Sequence, residues 1–334
     1  MTRIALAFAA AMTLTDPAAA QDAVDLEIGY MPILPVSQLF VTLEEGWMEE
    51  AGINADLVQF QNGPAMVQAL LSGQLDVAYF GIGPAMVARG RGVDIKVVAS
   101  DIVEQISFVA LPSLAQYIKG DDVVAGFEAF AAAEGHPPRI STFPVGSVPE
   151  TVLQYWIREQ LDADPGIIEP IYQGTSQVQQ SLLTGAVDGA AILEPVVSTT
   201  LARVEGAKVL ASGSEMFPDQ PGAVLAVREG AIAENRDTIV SLVAAHIRAT
   251  ELLRADPAAA APMVGTYVGG GRLDPAILED AITRSKDGFV SDPNEIVEGT
   301  RVMHDFQSNL GTLTQTVDLD ALFDLSIYDD AVGR

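Results

Sequence analysis

The chain has 334 residues, 49% of them hydrophobic and 19% charged, so it is long enough for two domains with sizeable cores. Its formal net charge is −27, from 45 acidic and 18 basic side chains. Such a field repels nucleic acid and anionic lipid, so neither is an expected partner. The chain has no cysteine, which excludes disulfides and a lipid-modified N-terminal cysteine.

Residues 1–20 have the pattern of a secretory signal peptide. Arg3 supplies a positive charge, residues 4–14 form an apolar core, and three alanines at 18–20 suit cleavage near Ala20. The apolar stretch is too short to span a bilayer. We therefore expect an exported protein that resides in the periplasm.

The remaining chain alternates predicted strands and helices. Strands are predicted at 26–30, 53–60, 75–80 and 94–100, helices at 36–51 and 64–73, and an exit loop at 81–84. A second series has strands at 139–143, 167–172 and 187–193 and helices at 147–161 and 176–184. The last third is predicted to be helical, with an apolar stripe facing the first lobe: Ile239, Leu242, Val243, His246, Ala249 and Leu253.

An internal repeat relates these two series. The segment that begins at Gln68 returns almost letter for letter 112 residues later, at Gln180. The same shift carries Ile28 onto Ile140 and Pro32 onto Pro144 without a gap. A fixed shift of this kind indicates two lobes built from the same elements, with a cleft between them.

We therefore predict an α/β protein with two similar lobes, each with a mostly parallel sheet, joined by a two-strand hinge. C-terminal helices are expected to pack on lobe one. The predicted organisation is a signal peptide at 1–20, the first part of lobe one at 21–107, lobe two at 108–221, and a return to lobe one at 222–334.

The candidate site follows from the repeat, because ligands of such sheets lie beyond the carboxyl ends of the strands. None of the six loops predicted there contains Lys or Arg, so backbone amides and hydroxyls such as those of Ser147, Thr175 and Ser176 would hold an anion. The candidate ligand-binding residues are Tyr30, Pro32, Gln38, Gln61, Asn62, Phe80, Gly81, Ile82, Phe143, Gly146, Ser147, Val148, Gln173, Glu194 and Gln220.

Several of these positions have structural alternatives. Ser147 and Glu150 match a capping box, which could satisfy the helix start with or without a ligand. Asp76 and Asp188 follow a glycine that ends a helix and are expected to form turns. Glu194 ends a strand where an acid has no evident structural role, so we expect it to face the cleft and pair with an ammonium group.

The sequence offers no basis for catalysis. The three histidines, His136, His246 and His304, are too far apart to indicate a metal cluster, and common nucleophile and phosphate-binding motifs are missing. His246 is expected in the core and His304 on the surface. The glycines at 269–271 follow no predicted strand and are interpreted as a turn. We expect no cofactor and no catalytic residues.

The motifs also resemble a known family. Residues 28–30, 71–77 and 81–84, together with 143–147, 193–195, 249–251 and 317–320, are similar to the substrate-binding proteins of ABC importers for nitrate, taurine and aliphatic sulfonates. The resemblance implies a type II periplasmic-binding-protein fold. It further implies a monomer that docks transiently on a permease and ATPase membrane complex. It also implies an acidic residue near a taurine amine, and Glu194 occupies the matching position.

The expected function is capture of a small anionic or zwitterionic solute, with a taurine-like aminosulfonate or an alkanesulfonate as the first choice. This chain has Leu193 where many relatives carry tryptophan, which favours a compact solute. The alternatives are an enzyme on the same fold, related to thiamine-pyrimidine synthesis, a sensor lobe for a membrane signalling protein, and a receptor for a cationic amine or another small carboxylate.

Overall fold

The computed structural model describes residues 23–334. The predicted signal peptide at 1–20 lies outside the described residues. Within 23–334, none of the helices combines the length and apolar character that a membrane span requires.

Within residues 23–334, ten strands form two sheets of five. The strands are β1 Val24–Tyr30, β2 Ile53–Gln59, β3 Val77–Gly81, β4 Ile95–Ser100, β5 Ser107–Ala110, β6 Arg139–Thr142, β7 Glu169–Tyr172, β8 Gly189–Ile192, β9 Lys208–Ala211 and β10 Ala223–Arg228. Lobe one contains the sheet ordered β2-β1-β3-β10-β4, and lobe two contains the sheet ordered β7-β6-β8-β5-β9. Under the internal repeat, β1, β2, β3 and β4 correspond to β6, β7, β8 and β9, and the crossing strands β10 and β5 take the same place in the two orders, so the duplicated architecture is confirmed.

Each sheet is parallel on one side and antiparallel on the other. In lobe one, β1 pairs in parallel with β2 and β3, whereas β10 runs antiparallel to β3 and β4. In lobe two, β6 pairs in parallel with β7 and β8, whereas β5 runs antiparallel to β8 and β9. Four strands of each sheet therefore run in the same direction, as predicted for mostly parallel sheets, and the single antiparallel strand is the one that arrives from the other lobe.

Seventeen α-helices surround the sheets in the described part of the chain. They are α1 Ser37–Glu44, α2 Trp47–Glu50, α3 Gly63–Leu71, α4 Ile82–Gly90, α5 Pro112–Ala115, α6 Val123–Glu134, α7 Val148–Tyr155, α8 Thr175–Thr184, α9 Val196–Arg203, α10 Gly213–Met216, α11 Glu229–Glu234, α12 Arg236–Ala255, α13 Pro257–Tyr267, α14 Pro275–Ser285, α15 Val297–Leu310, α16 Leu319–Leu322 and α17 Leu325–Val332. A π-helical turn at Trp156–Gln160 extends α7.

The exit loop predicted at 81–84 is wrong, because the chain enters helix α4 directly at Ile82. Pro84 lies in the first helical turn, where its missing N–H removes no intrahelical bond. Ile82, Ala85 and Met86 are fully buried, and this burial favours the helix over a loop.

The repeat extends to individual hydrogen bonds. In lobe one, Asp76 Oδ2 accepts a hydrogen bond from the Glu27 N–H at 3.0 Å. In lobe two, Asp188 Oδ2 accepts one from the Arg139 N–H at 2.9 Å, and Asp188 Oδ1 accepts a second from Ser113 Oγ at 3.0 Å. Each aspartate therefore ties the turn before a strand to the start of the neighbouring strand, which is the turn role that the sequence predicts.

Two crossing segments, residues 101–106 and 212–222, connect the lobes. They pair with each other, since the Gly222 N–H donates to the Ile102 carbonyl at 3.0 Å and the Glu104 N–H donates to the Gln220 carbonyl at 2.8 Å. Glu104 and Asp219 adopt positive φ angles of 51° and 56°, and the Asp219 N–H donates to Glu104 Oε1 at 2.9 Å. The predicted two-strand hinge is therefore a short antiparallel ladder.

The C-terminal helices pack on both lobes. The stripe on α12, including His246, is fully buried, and α12 contacts α1 and β4 of lobe one, as expected. In addition, α14 contacts α9, and α15 contacts α7 of lobe two. On α15, Gln307 donates from Nε2 to Thr151 Oγ1 of α7 at 2.8 Å, and both side chains are buried.

The duplicated aspartates provide a matched pair of variants. We expect Asp188→Ala to lower the free energy of unfolding by about 2–3 kcal/mol, because it removes a buried carboxylate that accepts two part-buried hydrogen bonds. Asp76→Ala should cost about 1 kcal/mol, because Asp76 is only half-buried and serves one donor. Urea denaturation of the three proteins measures both values. Equal losses in the two variants would contradict this account.

Candidate functional site

Loops from the two lobes meet at a small central cavity of about 20 Å³. Of the residues predicted to bind a ligand, four line it: Gly81, Phe143, Ser147 and Val148. The contact across the cleft is tight, since a Cβ atom on Gly81 would lie 2.7 Å from Val148 Cγ2. The volume suffices for about one water molecule, so the lobes are closed against each other in this structure.

Ser147 lies at the start of α7 but does not cap it. Its side chain is 2% exposed, its Oγ makes no hydrogen bond to the described residues, and it faces the central cavity. The predicted capping box is therefore wrong. Glu150 instead accepts a hydrogen bond from the Gly146 N–H at 3.4 Å, and Gly146 has a φ of 85° that favours glycine.

Two helices begin beside this cavity, because Gly81 is the N-cap of α4 and Ser147 is the N-cap of α7. In α4 the Ile82 N–H already donates to the Gly222 carbonyl at 2.9 Å and Pro84 has no N–H, so α7 offers more of the free amides. Among the described residues, those lining the central cavity include no charged side chain. The N-terminus of α7 and a hydroxyl therefore supply most of its polarity, which is the type of environment that favours an anion.

Glu194 has a structural role that the sequence did not reveal. Its Oε2 accepts a hydrogen bond from the Ser198 N–H at 2.8 Å, and its Oε1 accepts one from Ser198 Oγ at 2.9 Å, so the carboxylate caps the first turn of α9. The side chain lines a different space, the hinge cavity of about 460 Å³, which is also bordered by Glu104 and Arg284. The expectation that Glu194 faces the central cleft is wrong.

Burial controls the protonation of Glu194. Desolvation raises its pKa from 4.5 to about 7, against the two bonds from Ser198 and the charge of Arg284, which favour the ionised form. Desolvation also raises the pKa of Glu150, on the first turn of α7.

Three predicted polar residues are already engaged within one lobe. Gln38 is fully buried and donates from Nε2 to the Asp101 carbonyl at 2.6 Å. Asn62 caps α3 by accepting the Ala65 N–H at 2.9 Å. Gln173 accepts hydrogen bonds from Ser141 Oγ at 2.8 Å and Ser181 Oγ at 2.9 Å. These contacts stabilise the lobes, and none of the three side chains lines the central cavity.

Four more candidates lie inside the protein. Tyr30, Phe80 and Ile82 belong to the core of lobe one, and the Tyr30 ring packs edge-on against Phe40 with centroids 5.7 Å apart. Gln220 is fully buried in the second crossing segment, where its Nε2 donates to the Pro221 carbonyl. The expectation that Tyr30 and Phe80 cover a solute is not supported, because both pack in the core and neither lines the central cavity.

The remaining candidates border two other spaces. Pro32 and Gln61 line the side cavity, of about 410 Å³. Gln61 also joins the lobes, because its carbonyl accepts a hydrogen bond from Thr175 Oγ1 and its Oε1 accepts one from Ser176 Oγ, each at 3.3 Å. Gly146 lines an outer groove of about 460 Å³ beside α3 and α4.

Gln105 is a site residue that sequence reasoning missed. It lines both the central cavity and the hinge cavity, and its Oε1 is buried without a hydrogen-bond partner among the described residues. The available signal was its place in the first crossing segment, next to the apolar strand β5.

A model of the NMT1-like family matches residues 19–267, which is most of the chain. The chain belongs to the NMT1-like family. A Brucella abortus (strain 2308) protein named "Putative binding protein" is 28% identical to it over 306 residues, covering 90% of this chain and 87% of the relative.

Solved structures share the fold of this NMT1-like protein. The periplasmic nitrate-binding protein NrtA from Synechocystis PCC 6803 has a TM-score of 0.77 at 15% identity, covering 93% of this chain and 89% of that chain. The alkanesulfonate-binding protein SsuA from Xanthomonas axonopodis pv. citri, bound to MOPS, has a TM-score of 0.73 at 19% identity. The match covers 90% of this chain and 99% of that chain. The predicted type II periplasmic-binding-protein fold is confirmed.

These neighbours are named for binding and not for catalysis. The described residues contain no group of three or more His, Asp or Glu side chains placed to hold a metal ion.

Glu194→Gln is expected to flatten the pH dependence of stability. Because the folded-state pKa of about 7 exceeds the ordinary 4.5, the stability contributed by Glu194 is fully present below pH 4.5 and is lost as the pH rises through 7. Over this pH range the contribution of Glu194 to the free energy of unfolding falls by roughly 3 kcal/mol. Between pH 5 and 8 the free energy of unfolding of the wild type should fall more steeply than that of the variant.

Glu215→Gln is the control for this measurement, because two bonds from Ser212 lower the pKa of Glu215. The stability contributed by Glu215 changes only under more acidic conditions. Between pH 5 and 8 the free energy of unfolding of Glu215→Gln should therefore vary with pH as that of the wild type does. Chemical denaturation across this range gives all three curves. If the wild type and Glu194→Gln curves stay parallel, Glu194 is not the titrating group.

Proposed function

We propose that this protein is the periplasmic solute-binding component of an ABC importer and that it captures a small sulfonate-like or nitrate-like anion between its lobes. The proposal is supported by its family, by a fold shared with nitrate- and alkanesulfonate-binding proteins, and by the paired hinge segments. Closure of two lobes about a hinge is the usual motion of such receptors. A permease and ATPase complex would then receive the solute.

The observation that carries the proposal is the Ser147 hydroxyl. It is a buried group with no described hydrogen-bond partner, at the N-terminus of a helix and at a cavity shared by both lobes. A buried polar group without a partner is unfavourable, and an oxyanion would satisfy it. Pro149 has no N–H, so the Val148 and Glu150 amides are the free donors in this first turn.

The geometry favours a plain alkanesulfonate over an aminosulfonate such as taurine. A taurine ammonium group would need a carboxylate beside the central cavity, and Glu194 borders the hinge cavity, where it accepts two bonds from Ser198. The residues that line the central cavity are mostly apolar and include Met31, Ile33 and Phe143. A compact anion with a short apolar tail fits this combination.

Binding requires the lobes to separate first, because the central cavity of about 20 Å³ is smaller than any such solute. Separation must break the bonds that Gln61 makes with Thr175 and Ser176. Separation must also disturb other contacts to lobe two, such as the bond from the Leu34 N–H to the Glu194 carbonyl at 3.4 Å and the bond from Gln307 to Thr151. A bound solute would replace direct contact between the lobes with contacts to both.

Ser147→Ala tests the proposed site. Ethanesulfonate, taurine and nitrate are titrated into the protein by calorimetry, and ethanesulfonate is expected to bind most tightly. Loss of a hydrogen bond to a charged group amounts to about 1.5–3 kcal/mol, so the variant should bind ethanesulfonate at least about tenfold more weakly.

Ser72→Ala is the matched control, since Ser72 ends α3, on the helix whose opposite end approaches the cleft. The control should bind like the wild type. Unchanged affinity in Ser147→Ala would contradict the assignment of Ser147, and the absence of binding by all three anions would contradict the solute class.

A further inference from the structure

The side cavity has the character of a second anion site. It shares no lining residue with the central cavity, and the Gln61 contacts to Thr175 and Ser176 lie at its border. Its volume of about 410 Å³ is large enough for a small oxyanion or for an oxyanion with an organic body. Its lining includes residues of both lobes and of the C-terminal region.

Two arginines line this cavity, which is notable in a chain with 45 acidic and only 18 basic residues. Arg203 is in the last turn of α9, and Arg272 follows α13. Neither forms an ion pair with another described residue, and no Asp or Glu side chain belongs to the lining. The charged groups that line the cavity are therefore both positive, and a neighbouring acid, Glu44, hydrogen-bonds to Tyr267 of the cavity wall.

Hydroxyl groups complete the donor set. Thr199 is fully buried, lines the cavity, and its Oγ1 has no hydrogen-bond partner among the described residues. Thr175 and Ser176 are the first two residues of α8, a helix of ten residues whose N-terminal amides open on the same space. A helix N-terminus, a buried hydroxyl without a partner and two guanidinium groups together match the needs of a phosphate or sulfate group.

The wall of the side cavity is built by both lobes. Pro32 and Gln61 belong to lobe one, whereas Thr175 and Thr199 belong to lobe two. An anion bound beside Arg203 and Arg272 would attract both guanidinium groups. Because both lobes line the cavity, such an anion would also favour closure of the cleft.

We propose that the side cavity binds a tetrahedral oxyanion, free or as the head group of a small molecule, between Arg203, Arg272 and Thr199. Occupation of this site favours the closed arrangement of the lobes. The proposal is independent of which solute occupies the central cavity.

The test uses inorganic phosphate and sulfate, with sodium chloride at equal ionic strength as the reference. Phosphate or sulfate at ten times its Kd should raise the Tm of the mature protein by about 3 °C over the chloride reference. The Arg203→Gln/Arg272→Gln double variant should lose this rise, and calorimetry should show at least tenfold weaker binding. Phenyl phosphate in place of phosphate distinguishes an esterified head group from the free ion.

Arg91→Gln is the matched control, because Arg91 is an exposed arginine that lines the outer groove instead. It should keep the full response. An equal loss in the control would show general charge screening and overturn the proposal, as would an unchanged response in the double variant or no response in the wild type.

Two further measurements separate this proposal from the proposed function. Ser147→Ala should retain the phosphate response, since Ser147 lines the central cavity only. Small-angle scattering should show a smaller radius of gyration with phosphate in the wild type and no change in the double variant. A radius that does not respond in the wild type would overturn the coupling to closure.

Discussion

The hydrogen-bonded pairing of the two crossing segments is the constraint on which the rest of the molecule depends. The backbone of Gly222 bonds to that of Ile102, and the backbone of Glu104 bonds to that of Gln220. Gly213 is required for this approach, because a Cβ atom there would lie 1.9 Å from the Glu104 carbonyl oxygen. Such a narrow ladder permits rotation of one lobe against the other but resists their sliding, so the loops at the strand ends meet in a fixed register when the cleft closes.

The electrostatics of the cleft differ from those of the surface. A net charge of −27 would repel an anion at long range, yet physiological salt screens exposed charges beyond about 8 Å. The proposed capture of an anion would then rest on donors at contact distance: the N-terminus of α7 and the Ser147 hydroxyl in the central cavity, and arginines in the side cavity. Short-range donors of this kind select for shape and charge together, whereas a diffuse positive surface would select for charge alone.

The architecture could be predicted because the same pattern occurs twice in the sequence, so the elements predicted from one copy can be checked against the other. The match of Gln68 with Gln180 fixes the order of elements in both lobes, and the equivalent roles of Asp76 and Asp188 follow from it. The buried stripe on α12 follows from helical spacing. Two predictions were wrong at helix starts: α4 begins without a loop because lobe one buries its first turn, and Ser147 leaves its helix uncapped while the Glu150 carboxylate bonds to Gly146.

By itself, the sequence determined that this protein has two matched α/β lobes, a hinge, helical packing at the C-terminus and loops without basic side chains, because these depend on local periodicity and on the duplication. Only the tertiary structure decided which loop residues meet. It directs the Glu194 carboxylate to α9 and the hinge cavity, commits Gln38 and Gln173 to bonds within their lobes, and brings Arg203 and Arg272, which lie far apart in the chain, to one cavity. Side-chain direction at a strand end is set by the packing of distant elements, and no local pattern encodes it.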